Sequence, residues 1–260
     1  MMIASTVMTV VLSVGVGLCM GVIGGGGGGF YVFVLMLFLH QNAKTAAVTA
    51  LVLSTITLSG ASWQYWRKKT VQKEYFAILT VLAIIGTVAG NRLLSVIGET
   101  AIRILMCCVL VFSAVASLLK LRSQGLGENP KPVRKKLPVL LPVGLAGGLI
   151  TGTTGLSGGT MHSSFLIGLM DFPPIYAVGT TTVVGFVGNV VSIAALAAFG
   201  AARHVNTLNL DPEILLTFGI GSAAGAVLGA RVAVHVNNKA LTVLLAIVAI
   251  VPGIYFVVSR

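Results

Sequence analysis

Only 9% of this chain is charged, and just six of its 260 residues are Asp or Glu. Soluble domains carry roughly 25% charged residues, so a water-exposed globular surface is excluded. The four histidines and six acids do not cluster at metal-ligand spacing, and no phosphate loop or ATP-binding motif occurs. Neither a metal nor another cofactor is therefore expected. Cysteine is scarce as well: Cys19, Cys107 and Cys108 lie in apolar stretches and read as small buried residues, with no disulfide or redox framework.

What fills the chain instead is apolar surface, at 56% hydrophobic residues and a mean hydropathy of +1.01. This is the composition of a polytopic membrane protein. At about 20 residues per span there is room for about ten helical elements and no soluble domain. The first 23 residues carry no charge and lack the basic start of a signal peptide, so they are expected to form a membrane element. The net charge of +11 is concentrated: ten of the 17 Lys and Arg are Arg67, Lys68, Lys69 and Lys73 in one short loop, and Lys120, Arg122, Lys131, Arg134, Lys135 and Lys136 around another. Short basic loops between apolar spans mark the cytoplasmic face. They lack the aromatic stacking partners of a nucleic-acid site, so no nucleic-acid partner is expected. Trp63, Tyr65 and Trp66 beside Arg67 read as an interfacial aromatic belt.

Hydropathy outlines elements near 3–23, 26–39, 43–66, 75–97 and 101–120, then a polar linker over 121–137 with Gly125, Gly127, Pro130 and Pro132 as breakers. The pattern restarts near 139–154, 157–170, 174–199, 213–235 and 239–258. The expected architecture is an all-α polytopic membrane protein of about 8–10 membrane elements. Residues 1–120 form a first transmembrane repeat, 121–137 a cytoplasmic basic linker and 138–260 a second repeat.

The glycines organise this pattern. Gly21 to Gly29 reads GVIGGGGGG, and 131 residues later Gly152 to Thr160 reads GTTGLSGGT. Glycine weakens a helix by about 1 kcal/mol relative to alanine, so such runs break it. In hydrocarbon a broken helix is tolerated only where it is buried in protein or lines a polar cavity. Two breaks at corresponding points of two halves indicate a midplane binding site, and so a transporter. A shift of 131 pairs Gly17, Gly21, Gly24, Gly27, Gly28 and Thr49 with Gly148, Gly152, Gly155, Gly158, Gly159 and Thr180. A shift of 139 pairs Gly86, Gly90 and Arg92 with Gly225, Gly229 and Arg231. The basic loop from Arg67 to Glu74 corresponds to Gly200 to Glu213, which is not basic. That difference favours inverted repeats with both termini outside, over a parallel pair with cytoplasmic termini.

The order of apolar span, GxxxGxxGxxGG, short apolar element and AxxT segment, followed by GxxxGxR, resembles the sulfite exporter TauE/SafE family across essentially the whole chain and in both halves. The family's glycines are usually followed within a few residues by proline; the first copy here has none before Pro130, whereas the second has Pro173 and Pro174. The resemblance implies an integral transporter of a bacterial-type inner (plasma) membrane that moves small sulfur-containing or organic anions such as sulfite or sulfonates.

Free N–H groups at the start of the element after each break carry partial positive charge and can bind an anion. The candidate substrate-binding residues are therefore Gly24, Gly27, Gly28, Tyr31 and Thr49 in the first half, and Gly155, Ser157, Gly158, Gly159, Thr160, His162, Thr180 and Asn189 in the second. Hydroxyls crowd the second break at Thr151, Thr153, Thr154, Ser157, Thr160, Ser163 and Ser164, as a shell for a dehydrated oxyanion would. The competing reading is that the glycines only let helices pack closely. His162 could donate to the anion or carry a coupling proton, or be a satisfied buried polar group. Lys44 and Asp171 lie at turns where a gate or a solvated turn fits equally. Arg92 and Arg231 suit oxyanions chemically, but their places near span ends favour snorkelling to the interface. The partners expected are a small anion and the lipid bilayer; a homodimer stays open.

Two other functions remain to be weighed. An anion channel or membrane assembly factor would share the composition. GLSGG at Gly155 to Gly159 also resembles the GxSG of rhomboid intramembrane serine proteases, which pair a Ser with a His on another helix. Here the nearest histidine, His162, is in the same element, and the repeat replaces Ser157 with Gly26. No enzyme activity is therefore expected.

Overall fold

A computed structural model describes residues 2–24, 28–122, 137–157, 159–168, 170, 172–202 and 212–258. Among them ten helices follow one another: α1 (Met2–Ile23), α2 (Gly28–Phe38), α3 (Ala43–Arg67), α4 (Lys73–Val96), α5 (Glu99–Arg122), α6 (Leu137–Thr154), α7 (Gly159–Gly168), α8 (Pro174–Ala202), α9 (Pro212–Ala233) and α10 (Asn238–Val258). Their bounds lie within a few residues of the hydropathy segments. The signals at their ends are local. Asn42 caps α3 by accepting from Thr45 N at 2.8 Å, and Pro174 and Pro212 stand first in α8 and α9, where the missing N–H leaves no helical bond unmade. Among the described residues six helices, α3, α4, α5, α8, α9 and α10, are long and apolar enough to cross a membrane. They are three equivalent helices from each half.

Glycine stripes hold the halves together. Gly17 and Gly21 of α1 lie against the backbone of Ser222 and Ala226 in α9, while Gly225 and Gly229 of α9 lie against Val14 and Leu18 in α1. The same interface recurs between α6 and α4: Gly148 and Gly152 meet Ala83 and Thr87, and Gly86 and Gly90 meet Leu145 and Leu149. At each of these glycines an added Cβ would collide with a carbonyl of the neighbouring helix. Small residues allow this approach, which membrane helices use where the hydrophobic effect does not drive association.

The registers of these contacts fix the helix directions. Along α1 and α9, and along α4 and α6, residue numbers rise together, so each pair is parallel. In α3 and α9, Ile56 lies beside Gly219 and Gly60 beside Val227, again parallel. In α4 and α8, Asn91 Nδ2 donates to Ser192 O and Ser192 Oγ donates to Asn91 Oδ1, both at 2.9 Å, with Thr87 near Gly188, also parallel. Between α3 and α8 the order reverses: Ser54 pairs with Asn189, Leu58 with Gly185 and Ser62 with Thr182. Thus α1, α3 and α9 run one way and α4, α6 and α8 the other. Each helix of the first half is antiparallel to its counterpart in the second, which makes the repeats inverted about a pseudo-two-fold axis lying across the helices. Arg67, Lys68, Lys69, Lys73, Arg231 and Lys239 consequently share one face, while Lys44, Arg92 and Arg103 lie at the other.

A candidate anion site where the two breaks meet

Both breaks start from the same turn. Gly24 N donates to Met20 O at 2.9 Å with φ 73°, and Gly155 N donates to Thr151 O at 3.1 Å with φ 68°. This left-handed glycine ends α1 and α6 and turns the chain back. Gly24 is pressed against Val178 and Thr182 near the start of α8, and Gly155 against Ala47 near the start of α3, which are equivalent places. These two turns lie toward opposite ends of the bundle, and Gly28 and Gly159 nearer its middle. There α2 and α7 begin and run outward in opposite directions, each a half-length helix of 11 and 10 residues.

Gly28 and Ser157 touch. A Cβ on Gly28, the first residue of α2, would run into Ser157 N and stand 2.9 Å from Gly155 O. Ser157 in turn faces Gly185 of α8, whose added Cβ would stand 2.7 Å from Ser157 Oγ and 3.6 Å from Leu58 of α3. One turn along α8, Asn189 donates Nδ2 to Ser54 Oγ of α3 at 2.8 Å, and its Oδ1 makes no hydrogen bond. Ser54 and Leu58 of α3 are the repeat counterparts of Gly185 and Asn189, so this cluster sits on the pseudo-two-fold axis. Ser54, Ser157 and Asn189 are all at most 1% exposed. The arrangement sets the starts of two helices, whose first N–H groups have no partner within the helix, beside an amide and two hydroxyls in the middle of the bundle.

The other expected residues are spread more widely. Gly27, Gly158 and Asp171 lie outside the described residues, as do most of the linker and of the loop before α9, and the side chain of Thr160 is not described. Gly159 opens α7 and its carbonyl accepts from Ser163 Oγ at 2.6 Å. Tyr31 points from α2 to α3, its hydroxyl 2.6 Å from Thr57 Oγ1, which reaches Ser222 Oγ of α9 at 3.1 Å. His162 is fully buried with its ring against the backbone of α6 at Val143, Gly144 and Gly147, away from the α8 side that Ser157 faces. Ser157 and His162 therefore do not form a nucleophile and base pair. Thr49 is buried with an unbonded hydroxyl, whereas Thr180 accepts from Gln72 N at 3.0 Å and tethers the α3–α4 loop. Lys44 is half-buried in the first turn of α3, at the face opposite the basic one. Arg92 is exposed, its guanidinium 5.4 Å from the ring centre of Phe199, and Arg231 is exposed in a cationic pocket on the basic face. The two arginines lie near helix ends on opposite faces.

The hydroxyl shell is largely turned inward. Thr151, Thr153 and Thr154 donate to Gly147 O, Leu149 O and Ile150 O at 2.7–2.8 Å, within their own helix. Ser164 bonds Ser113 of α5 at 2.5 Å. The glycines divide likewise: those of the α1/α9 and α4/α6 stripes serve packing, while Gly24, Gly28 and Gly155 shape the breaks. Sequence reasoning missed Ser54, Thr57 and Ser222, which no repeat pairing singles out. A polar residue inside an otherwise apolar span is the signal that could have found them.

The family model of the sulfite exporter TauE/SafE matches residues 9–256. The chain belongs to this family. TauE/SafE members are membrane transporters and not enzymes, so this chain is an integral membrane transporter, and the rhomboid reading falls away. Two curated relatives of this TauE/SafE chain are both from Bacillus subtilis (strain 168). One, the probable membrane transporter protein YdhB, is 24% identical over 219 residues, covering 83% of this chain and 85% of its own length. The other, the probable membrane transporter protein YjnA, is 23% identical over 235 residues, covering 85% and 87%. No solved structure gives a significant match.

Proposed function

We propose that this chain is a secondary transporter that moves a small sulfur-containing or organic anion, of the sulfite or sulfonate class, across a bacterial-type inner membrane. The anion binds near the midplane where the two breaks meet, and access alternates between the two faces. The contact of Gly28 with Ser157 on the pseudo-two-fold axis carries this reading, because it brings two half-helix starts to one point. Their N–H groups and dipoles favour negative charge, and Asn189, Ser54 and Ser157 add polar groups that a dehydrated oxyanion requires. Inverted repeats supply the exchange: when one half adopts the conformation of the other, the site opens to the opposite face. By the positive-inside rule the face with Arg67, Lys68, Lys69 and Arg231 is cytoplasmic, and the start of α1 and end of α10 face outward.

The test is flux in proteoliposomes with sulfite, thiosulfate, sulfonates and carboxylates as a panel. Saturable uptake of at least one sulfur oxyanion is expected. Binding of none of them would end the anion reading, and unsaturable current would make the chain a channel. For orientation, cysteine-free protein carrying Gly98→Cys should react with an impermeant thiol reagent added outside intact cells, and Lys68→Cys should not; the reverse pattern would turn the molecule over.

A further inference from the structure

The basic face carries a pocket of about 430 Å³ lined by Gln64, Arg67 and Lys68 at the end of α3 and by Arg231 and His235 at the end of α9. We propose that it binds a phosphate-type oxyanion at the membrane surface, favouring the headgroup of an anionic phospholipid as its source.

The inverted repeat supplies an internal control. The ends of α8 and α4 are the counterparts of the ends of α3 and α9, and there Ala195, Ala198, Phe199, Arg92 and Val96 stand where the pocket has Gln64, Arg67, Lys68, Arg231 and His235. On that face the single arginine rests on an aromatic ring, with Arg92 5.4 Å from the centre of Phe199. On the basic face Lys68 stands in the place of the ring, and Arg231 shares one pocket with Arg67 and Lys68, with no acid among the lining residues. Helix C-termini attract cations and donors, and His235 Nδ1 lies 3.0 Å from Arg231 O. That explanation accounts for a cation at each helix end. It does not account for Arg67, Lys68 and Arg231 lining one pocket with no acid among them, where a bound anion would relieve their mutual repulsion. Arg supplies paired donors that match a phosphate's oxygens, and Lys adds a point charge.

The surroundings favour a lipid over a soluble anion. Trp63 and Trp66, 62% and 45% exposed on the same stretch of α3, mark headgroup depth. Leu228 and Val232, 49% and 50% exposed on α9 beside Arg231, offer a path for an acyl chain. Basic pockets between transmembrane helices at the cytoplasmic surface are suited to such headgroups. This inference stands apart from the transport site, since the lining residues lie at helix ends and not at the breaks.

Trp63 and Trp66 are the two tryptophans of the chain, so intrinsic fluorescence reports on this pocket. The full-length protein in nanodiscs is titrated with brominated phosphatidylglycerol or brominated phosphatidylcholine at equal mole fraction, and separately with inorganic phosphate in phosphatidylcholine discs. Stronger quenching by phosphatidylglycerol is expected, with half-saturation shifted about tenfold by Arg231→Gln or by Lys68→Gln, retained by Arg231→Lys and unmoved by Arg92→Gln. A saturable response to phosphate with no preference between the lipids would assign the pocket to a soluble oxyanion. Equal quenching by both lipids with no phosphate response would overturn the proposal. So would an equal loss in Arg92→Gln, which would reduce the effect to total charge.

Discussion

At the first break the chain turns at Gly24 and at the second at Gly155, with φ of 73° and 68° and the same bond back to the residue four before. Side chains around the two turns are unlike. Tyr31, Leu58 and Ala61 occupy the places held in the second half by His162, Asn189 and Ser192, and Gly26 the place of Ser157. The end of α1 borrows a partner, Tyr65, whose hydroxyl donates to Gly21 O at 2.8 Å, whereas α6 ends on its own threonines. The two halves thus share the backbone that brings two helix starts together and differ in polar chemistry, with Ser157 and Asn189 from the second half and Ser54 from the first. Discrimination among anions is therefore expected to reside in the second repeat, and assembly of the site in both.

The largest effects should come from the part that the halves share. Alanine at Gly24 or Gly155 faces a left-handed backbone that costs about 1–2 kcal/mol, and its methyl would meet Val178 and Thr182, or Ala47 O. Both Gly24→Ala and Gly155→Ala should abolish flux in proteoliposomes and lower the melting temperature in detergent. Gly15→Ala, in α1 with nothing within 4 Å of the new methyl, should do neither. If Gly24→Ala transported normally while Gly155→Ala did not, the two turns would not be equivalent and the first would be packing alone.

A smaller, more selective effect should follow from making the halves alike in side chain. Asn189→Leu installs the residue found at Leu58 and removes the side-chain amide, with its Nδ2–H donors and the bond to Ser54 Oγ. Anion affinity in binding titrations should fall about tenfold, the scale of one buried hydrogen bond to a charged group, with the fold retained in gel filtration. Unchanged affinity would move selectivity away from the axis.

The element order, the doubling and the glycine turns were legible because they rest on local physics: apolar length, the cost of glycine in a helix and the charge of short loops. The inversion followed from Arg67 to Lys73 having no basic counterpart, and the register of Ser54 with Asn189 agrees with it. Side-chain direction was not legible. Thr151, Thr153 and Thr154 look like a ligand shell in sequence, yet a hydroxyl in a membrane helix has a carbonyl one turn back always in reach, and each takes it. Thr49 and Thr180 are equivalent in sequence and differ in place of action, because Thr180 meets the α3–α4 loop at Gln72 N. Nothing in a single chain of letters reports which loop folds over which helix.

The mildest test concerns the borrowed cap. Tyr65→Phe removes the hydroxyl that serves Gly21 O and leaves the ring in its buried site. The loss should be about 1 kcal/mol, the net value of one such bond. Unfolding in detergent should register it as a lower midpoint, with transport changed by less than about twofold at saturating anion, a shift well below the about tenfold per 1.4 kcal/mol that a bond made only with the anion would give. A large fall in flux with unaltered stability would mean that Tyr65 moves during transport. The first half would then contribute a gate where the comparison of the breaks assigns it a scaffold.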